Sequence, residues 1–235
     1  MQFIEVSVTG VRSAVIRLRA PEWEQQVLLF PMLHLGTPEF YAEVTARLRN
    51  CGVVVAEGIR DRSLITRAMT IAYRLPGRSR RLGLVQQRID YSSLTAEVVT
   101  PDMTGTQLRA GWRAVPALQR AGLLAAAPLV GAFFWLLGTR RALARYAAAE
   151  DLPGDVDIVL RDKTQALTEL LLDRRDALLA AALDEILARA DTREGASRDV
   201  AVVYGAAHMA AVTRYLLARY GYRARRAEWL TVFDF

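Results

Sequence analysis

Residues 199–209 have the sequence DVAVVYGAAHM, and this stretch decides the fold. Its apolar, β-branched run from Val200 to Tyr204 predicts a buried strand. Small residues end the run, and His208 then begins a helical pattern that continues to Tyr220. His208 is therefore expected where a strand ends and a helix begins, which is the edge at which open α/β sheets bind ligands.

The chain contains only one other histidine, His34, and it also follows an apolar run. Residues 27–33 predict a strand, although Pro31 within them suggests an edge position or a bend. Thr37 as N-cap and Pro38 in the first helical position then predict the start of a helix. Two scarce imidazoles are thus predicted at two strand ends.

Two acidic residues follow further predicted strands. Residues 53–56 are wholly apolar, as in a buried parallel strand, and Glu57 comes directly after them. Asp102 follows a second predicted strand at residues 97–100. Because the carboxyl ends of parallel strands meet at one edge, the histidines and these acids should lie close together.

The whole chain, residues 1–235, is predicted to form a single α/β domain. We expect a mixed β-sheet with flanking helices and a helical insertion at residues 104–190, in the middle of the chain. An N-terminal β-hairpin should open the sheet, and a last strand or two should close it. Hydrophobic residues make up 52% of the chain, which is enough for a sizeable core. The single cysteine, Cys51, excludes an internal disulfide and a cysteine-rich zinc site.

The chain is basic, with a formal net charge of +6. Residues 74–81 form an arginine-rich turn, which is either a solvated loop or a contact for acidic lipid head groups or an anionic substrate. Interleaved aromatic residues and nucleic-acid motifs are missing, so no nucleic-acid partner is expected. The N-terminal sequence lacks the basic and apolar regions of a signal peptide, which predicts a cytoplasmic protein.

Residues 121–138 carry no charge and reach the lower length limit of a membrane span. Three alternatives stay open: a buried or interface helix hairpin, a membrane-surface or re-entrant segment, and a true span. Pro128 should kink or split the helix. Phe133, Phe134 and Trp135 cannot all face one stripe, since successive helix positions are about 100° apart. A homodimer contact is slightly favoured over peripheral binding to, or anchoring in, an anionic membrane.

His34, Glu57 and His208 form a two-histidine, one-carboxylate set. Such a set suits a divalent transition metal (Mn, Co, Zn or Fe), with Asp102 as a fourth ligand or as a group that orients a histidine. The metal would lower the pKa of a bound water and polarise a carbonyl. Without a metal, a histidine could act as a base towards water while Glu57 holds its tautomer. Each of these residues could instead be purely structural.

Three short motifs occur in order along the chain: LHLGTPEFY at 33–41, VAEG at 55–58 and VYGAAHM at 203–209. Together they resemble the TraB/PrgY–Tiki superfamily, which is distantly related to erythromycin esterases and ChaN-like proteins. The family pattern is a Gly-x-x-His motif, a strand ending in glutamate, and a second Gly-x-x-His motif. Gly205 and His208 match the second motif and Glu57 matches the glutamate. His34 matches the first histidine, but Pro31 stands in place of its glycine.

A fourth segment, LDRRD at 172–176, resembles the Glu-Arg-Asn/Asp helix motif of the same family. Arg175 and Asp176 are in register with that motif, while Arg174 replaces the acid. The resemblance implies an α/β domain in which the histidines and the glutamate cluster. Arg175 would then stabilise negative charge or brace the site.

The resemblance also implies a range of activities. Tiki-type members are metal-dependent proteases that act beside membranes, esterase relatives hydrolyse an ester with His and Glu, and other members are regulators. We therefore expect a metal-dependent hydrolase that acts on a peptide or a small acyl substrate. His34 and His208 would be ligands or acid–base groups, and Glu57 would be a ligand or the general base. The alternative is a non-catalytic regulatory or binding protein on the same scaffold.

Overall fold

The computed structural model describes residues 1–59, 63–151, 165–190 and 199–235. These residues form a seven-stranded mixed sheet with flanking helices, which confirms the predicted α/β class. The predicted loop at 191–198 and most of the predicted turn at 151–155 lie outside the described residues.

The strands are, in chain order, β1 (Ile4–Val6), β2 (Gly10–Arg19), β3 (Val27–Met32), β4 (Leu35–Gly36), β5 (Val53–Ala56), β6 (Val85–Gln86), β7 (Glu97–Val99), β8 (Val200–Gly205) and β9 (Arg223–Asp234). The main sheet has the order β1-β2-β3-β8-β5-β7, and β9 also pairs with β2. The short strands β4 and β6 pair with each other. The predicted N-terminal hairpin is confirmed, because β1 and β2 are antiparallel neighbours.

The helices are α1 (Pro38–Leu48), α2 (Leu64–Arg74), α3 (Gly105–Ala114), α4 (Ala117–Leu136), α5 (Arg140–Asp151), α6 (Gln165–Thr168), α7 (Arg174–Ala190) and α8 (Ala206–Tyr220). A π-helical segment, Glu169–Asp173, joins α6 to α7. Thr37 caps α1 as predicted, since its side chain accepts a hydrogen bond from the Phe40 amide at 3.3 Å. For α2 the sequence offers Asp61 or Ser63 as the cap: Ser63 caps the helix in the same way, and Asp61 is outside the described residues.

The centre of the sheet is parallel. β8 lies between β3 and β5, and β5 pairs in turn with β7, so all four strands run in the same direction. Val200 to Tyr204 are completely buried, as the apolar run predicted. Alternate β8 side chains enter two core clusters, one on each face of the sheet, because successive residues of a strand point to opposite faces.

The predicted edge position of Pro31 is wrong. β3 lies in the interior of the sheet, between β2 and β8. The ladder between β2 and β3 ends at Leu29, and the Pro31 carbonyl accepts a hydrogen bond from the Ser13 hydroxyl on β2 at 2.6 Å. In a strand, the backbone nitrogen and the carbonyl of one residue point towards the same neighbouring strand. The N–H that Pro31 lacks would therefore point towards β2, beyond the end of their ladder, so no ladder hydrogen bond is lost.

The apolar segment is helical, as predicted, but Pro128 does not split it. α4 runs as a single helix from Ala117 to Leu136 through the proline. Phe134 is buried while Phe133 and Trp135 are about half exposed, which confirms that the three aromatic rings do not share one environment. Against α2 the two backbones approach so closely that a Cβ atom at Gly131 would lie 2.7 Å from the Ile71 carbonyl oxygen.

Cys51 lies just before β5 and is buried. Its thiol has only a long contact, 3.9 Å, with the Arg47 carbonyl oxygen of α1. Burial raises the pKa of the Cys51 thiol to about 12. The cysteine therefore serves the packing between α1 and the sheet.

Candidate functional site

The carboxyl edge of the parallel strands brings the predicted site residues together. Glu57 directly follows β5, Asp102 follows β7, and His208 lies in the first turn of α8 after β8. His34 lies between β3 and β4 on the far side of β8. The prediction that polar groups emerge from one edge of the sheet is thus confirmed.

The guanidinium group of Arg175 is at the centre of the site. Its Nη2 donates to Glu57 Oε1 at 2.6 Å and to Asp102 Oδ2 at 2.6 Å, while its Nε donates to Asp102 Oδ1 at 2.9 Å. Burial lowers the pKa of Arg175, but the bonds to the two carboxylates outweigh it and raise that pKa. Arg175 is therefore a permanent buried cation shared by two acids.

The tautomer of His208 follows from its two neighbours. Arg175 Nη1 lies 3.3 Å from Nε2, and Asp176 Oδ1 lies 2.7 Å from Nδ1. Because a guanidinium can only donate and a carboxylate only accepts, we infer a neutral ring with its proton on Nδ1. His208 also belongs to the core, since it is 2% exposed and packs edge-on against Tyr204.

Glu57 is fixed by both of its carboxylate oxygens. Oε1 accepts from Arg175, and Oε2 accepts from the backbone amide of Gly205 at 2.6 Å. A Cβ atom at Gly205 would lie 3.2 Å from Oε2, so this position favours a residue without a side chain. Burial would raise the pKa of Glu57, but the charge of Arg175 and the hydrogen bond that it donates help to lower that pKa below its ordinary value. Glu57 is therefore ionised at neutral pH.

Asp102 is the most deeply buried acid of the site, with 1% of its side chain exposed. Besides Arg175 it accepts bonds from the backbone amides of Gly58, at 3.1 Å, and Met103, at 2.8 Å. Both of its oxygens are thus fully used. These bonds fit a role in holding Arg175 and the loop after β5 in place.

His34 is half-buried and stacks on the Tyr73 ring of α2, with 4.4 Å between the ring centroids. Burial has the largest effect and lowers the pKa of His34. Glu57 raises this pKa, whereas Arg175 and His208 lower it, and the net result is a pKa below the ordinary value. The imidazole is therefore neutral at pH 7. The backbone carbonyl of His34 accepts from the Gln87 amide at 2.9 Å, which ties the loop to the segment after β6.

The predicted metal ligands do not form a ligand group. Within residues 1–59, 63–151, 165–190 and 199–235, no three His, Cys, Asp or Glu side chains are arranged to hold a metal ion. The reason is Arg175, which takes up Glu57 Oε1, both oxygens of Asp102 and the free nitrogen of His208. In this structure the guanidinium is the positive charge that is bonded to the two carboxylates.

Sequence reasoning left three side chains out of the site. Asp176 orients His208, and its only signal was the match to the Glu-Arg-Asn/Asp motif. Tyr73 stacks on His34 from a helix that showed no polar pattern. Tyr91 lies in a segment whose structure was ambiguous from sequence; its hydroxyl is buried without a hydrogen-bond partner in the described part of the chain. Burial and the charge of Glu57 raise the pKa of Tyr91, so its hydroxyl keeps its proton.

Comparison with known proteins gives no relative. No protein-family model matches the chain, and neither a curated protein nor a solved structure is significantly similar to it.

Proposed function

We propose that the chain is a hydrolase of peptide or related acyl bonds, of the TraB/PrgY–Tiki type. The observation that carries the proposal is the pairing of a neutral imidazole, His34, with an ionised carboxylate, Glu57, at the carboxyl edge of the sheet. An imidazole kept neutral at physiological pH can take a proton from water, which is the first requirement of general-base hydrolysis.

In this mechanism His34 is the general base. It removes a proton from a water molecule as the water attacks the acyl carbon, and it returns that proton to the leaving group. The Glu57 carboxylate raises the pKa of His34 and so stabilises the imidazolium formed in between. Stacking on Tyr73 fixes the plane of the ring.

Two further groups support the developing charge. Arg175 holds Glu57 in place through the 2.6 Å bond to Oε1 and is itself held by Asp102. The protonated hydroxyl of Tyr91 is buried and has no protein partner among the described residues, so a substrate oxygen that reaches it would gain a hydrogen bond. His208 and Asp176 act through Arg175, because both His208 ring nitrogens are already bonded.

The arrangement does not fit the expected transition metal, so no step of this mechanism passes through one. Three of the four expected ligands, Glu57, Asp102 and His208, are bonded to Arg175 and would have to release it before they could meet His34 at an ion. A metal site therefore stays a prediction from sequence, which metal titration tests separately.

A panel of acyl substrates tests the proposal: p-nitrophenyl acetate, p-nitrophenyl butyrate and a fluorogenic casein. His34→Ala and Glu57→Gln should each lower the rate by about 100-fold or more, the usual contribution of a general base. Glu39→Gln, an exposed acid on α1, is the matched control and should keep the full rate. Hydrolysis that survives in both site variants would refute the assignment.

One observation favours the non-catalytic alternative. His208, the histidine with the best motif match, is 2% exposed and has no ring nitrogen left for a substrate. A regulatory or binding protein would need this cluster only for structure. If every substrate of the panel stays intact while His208→Ala still lowers the free energy of unfolding, the alternative is the better description.

A further inference from the structure

We propose that α4 docks the protein onto an anionic lipid surface, with the helix lying in the plane of the bilayer. The proposal is independent of the hydrolase site. It starts from a row of large apolar side chains that α4 and the residue after it expose to solvent: Leu118, Leu124, Leu129, Phe133, Trp135, Leu136 and Leu137. An exposed apolar patch of this kind marks an interaction surface.

The surface is continuous because charge is missing from the helix. Residues 121–138 contain no charged side chain, and only 11% of the apolar window of α4 is buried within the protein. Among the described helices α4 alone is long and apolar enough to cross a membrane, a property that by itself is weak support for a span. The unburied face is what needs an explanation.

Packing against α2 favours a helix that lies on the bilayer over one that crosses it. Gly131 brings α4 into backbone contact with Ile71 and Ala72, so one face of α4 is permanently covered by α2. A crossing would carry α2 into the hydrocarbon region together with its exposed residues Arg67 and Arg74. Charged side chains there cost several kcal/mol each, whereas an interfacial helix buries only its apolar face.

A cluster of arginines lies at the carboxyl end of α4. Arg81 Nη2 donates to the Gly138 carbonyl at 2.7 Å, and Arg140 Nε donates to the Leu82 carbonyl at 2.7 Å. These two bonds fasten the basic turn to the end of the helix. Their exposed neighbours Arg78, Arg80 and Arg141 therefore stand beside the apolar face.

The two segments that form the surface around α4 carry positive charges and no negative ones. Residues 64–89 contain six arginines and no acid, and residues 103–149 contain six more and no acid. Anionic head groups attract such a surface, and the attraction grows with each basic residue that lies near the membrane. Buried apolar area and attraction to anionic lipids are the two contributions that hold a helix at a membrane interface, and this surface offers both.

The same charge distribution disfavours a second copy of the chain, although the sequence slightly favoured a homodimer. A two-fold contact through α4 would bring the same surface of each copy together. The segments that form this surface carry twelve arginines and no acid, and Asp234 lies at its edge, so two copies would bring a large excess of positive charge together. An anionic bilayer provides the missing negative charge.

Flotation with lipid vesicles tests the proposal. We expect the full-length protein to float with vesicles of phosphatidylcholine and phosphatidylglycerol, and to stay behind with phosphatidylcholine alone. A triple variant of exposed apolar residues, Leu129→Gln, Phe133→Gln and Trp135→Gln, should bind at least about tenfold more weakly. A second triple variant, in the exposed arginines, should also bind at least about tenfold more weakly: Arg78→Glu, Arg80→Glu and Arg141→Glu.

A matched control separates the local surface from overall charge. Arg214→Glu, Arg223→Glu and Arg225→Glu make the same change in net charge on exposed residues of α8 and β9 and should leave binding within about twofold. Thermal unfolding of each variant establishes that the fold is intact. The proposal is overturned if the wild type does not float, if the control loses as much binding as the site variants, or if light scattering shows a stable dimer that the apolar variant dissociates.

Discussion

At the scale of single residues, Arg175 is the group on which the site depends. It is the only cation bonded to Glu57 and Asp102 in the described part of the chain, and 10% of its side chain is exposed. Arg175→Ala would leave the two buried carboxylates of Glu57 and Asp102 without their positive partner. We expect a loss of about 3–5 kcal/mol in the free energy of unfolding, measured by chemical denaturation.

Arg174→Ala is the matched control for that change. Arg174 is the preceding residue, and its ion pair with Glu169 is about half exposed. Exposed pairs contribute about 0–1 kcal/mol, so this variant should unfold nearly like the wild type. Equal losses for the two variants would contradict the central role of Arg175.

The pH dependence of stability should report His34. Its pKa in the folded protein lies below the ordinary value of 6.5, so below that pH the unfolded chain binds a proton that the folded protein refuses. Stability therefore falls as the pH drops from 6.5 towards the folded pKa. Glu57 contributes in a different range: its pKa is lowered from 4.5, so its stabilising effect is lost only below that value.

Denaturant titrations at pH 7.5, 6.0 and 5.0 measure the free energy of unfolding of the wild type and of His34→Gln. His34→Gln removes the titrating ring, so the variant should lose less stability than the wild type between pH 7.5 and 5.0. Identical pH profiles for the two proteins would show that the His34 environment does not depress its pKa.

At the scale of elements, the contact between α2 and α4 depends on one glycine. Gly131→Ala places a methyl group 2.7 Å from the Ile71 carbonyl oxygen, which is backbone and cannot rotate away. The helices must separate, at a cost of about 1–3 kcal/mol. Gly122→Ala in the same helix meets open space and should be neutral or stabilise by up to about 1 kcal/mol. An equal gain in stability in both variants would show that helix propensity, and not a tight contact at Gly131, decides the effect.

The elements also show what sequence can predict. The strands that end in His34, Glu57 and His208 were predictable because apolar runs and caps are local patterns. The interior position of Pro31 was not, because it depends on the point at which the ladder between β2 and β3 ends. The π-helical segment Glu169–Asp173 likewise had no signal, although it directly precedes the helix that presents Arg175.

At the scale of the whole molecule, the site joins distant parts of the chain. Arg175 and Glu57 are separated by 118 positions in sequence and are brought together only by the completed sheet and α7. Residue types at strand ends predicted which residues form the cluster, but not which of them bond to one another. That a guanidinium bonds these residues could not be predicted from the residue types, and the metal stays a prediction.

Metal titration of the intact protein tests that difference. A ligand that binds only the folded state raises the melting temperature. Because Arg175 occupies the donor atoms, we expect Zn²⁺, Mn²⁺, Co²⁺ or EDTA to shift the midpoint of thermal unfolding by less than about 1 °C. A saturable, stoichiometric increase with any of these ions would restore the metal site predicted from sequence.

Burial of Cys51 has a practical consequence for site-directed labelling. Maleimide reagents react with the thiolate, and a thiol with a pKa of about 12 forms almost none at neutral pH. Cys51 can therefore stay in the protein as a silent thiol. A cysteine introduced by Phe133→Cys, at an exposed position, would be the single reactive one and could carry an environment-sensitive dye. The native chain thus already serves as the background for fluorescence measurements.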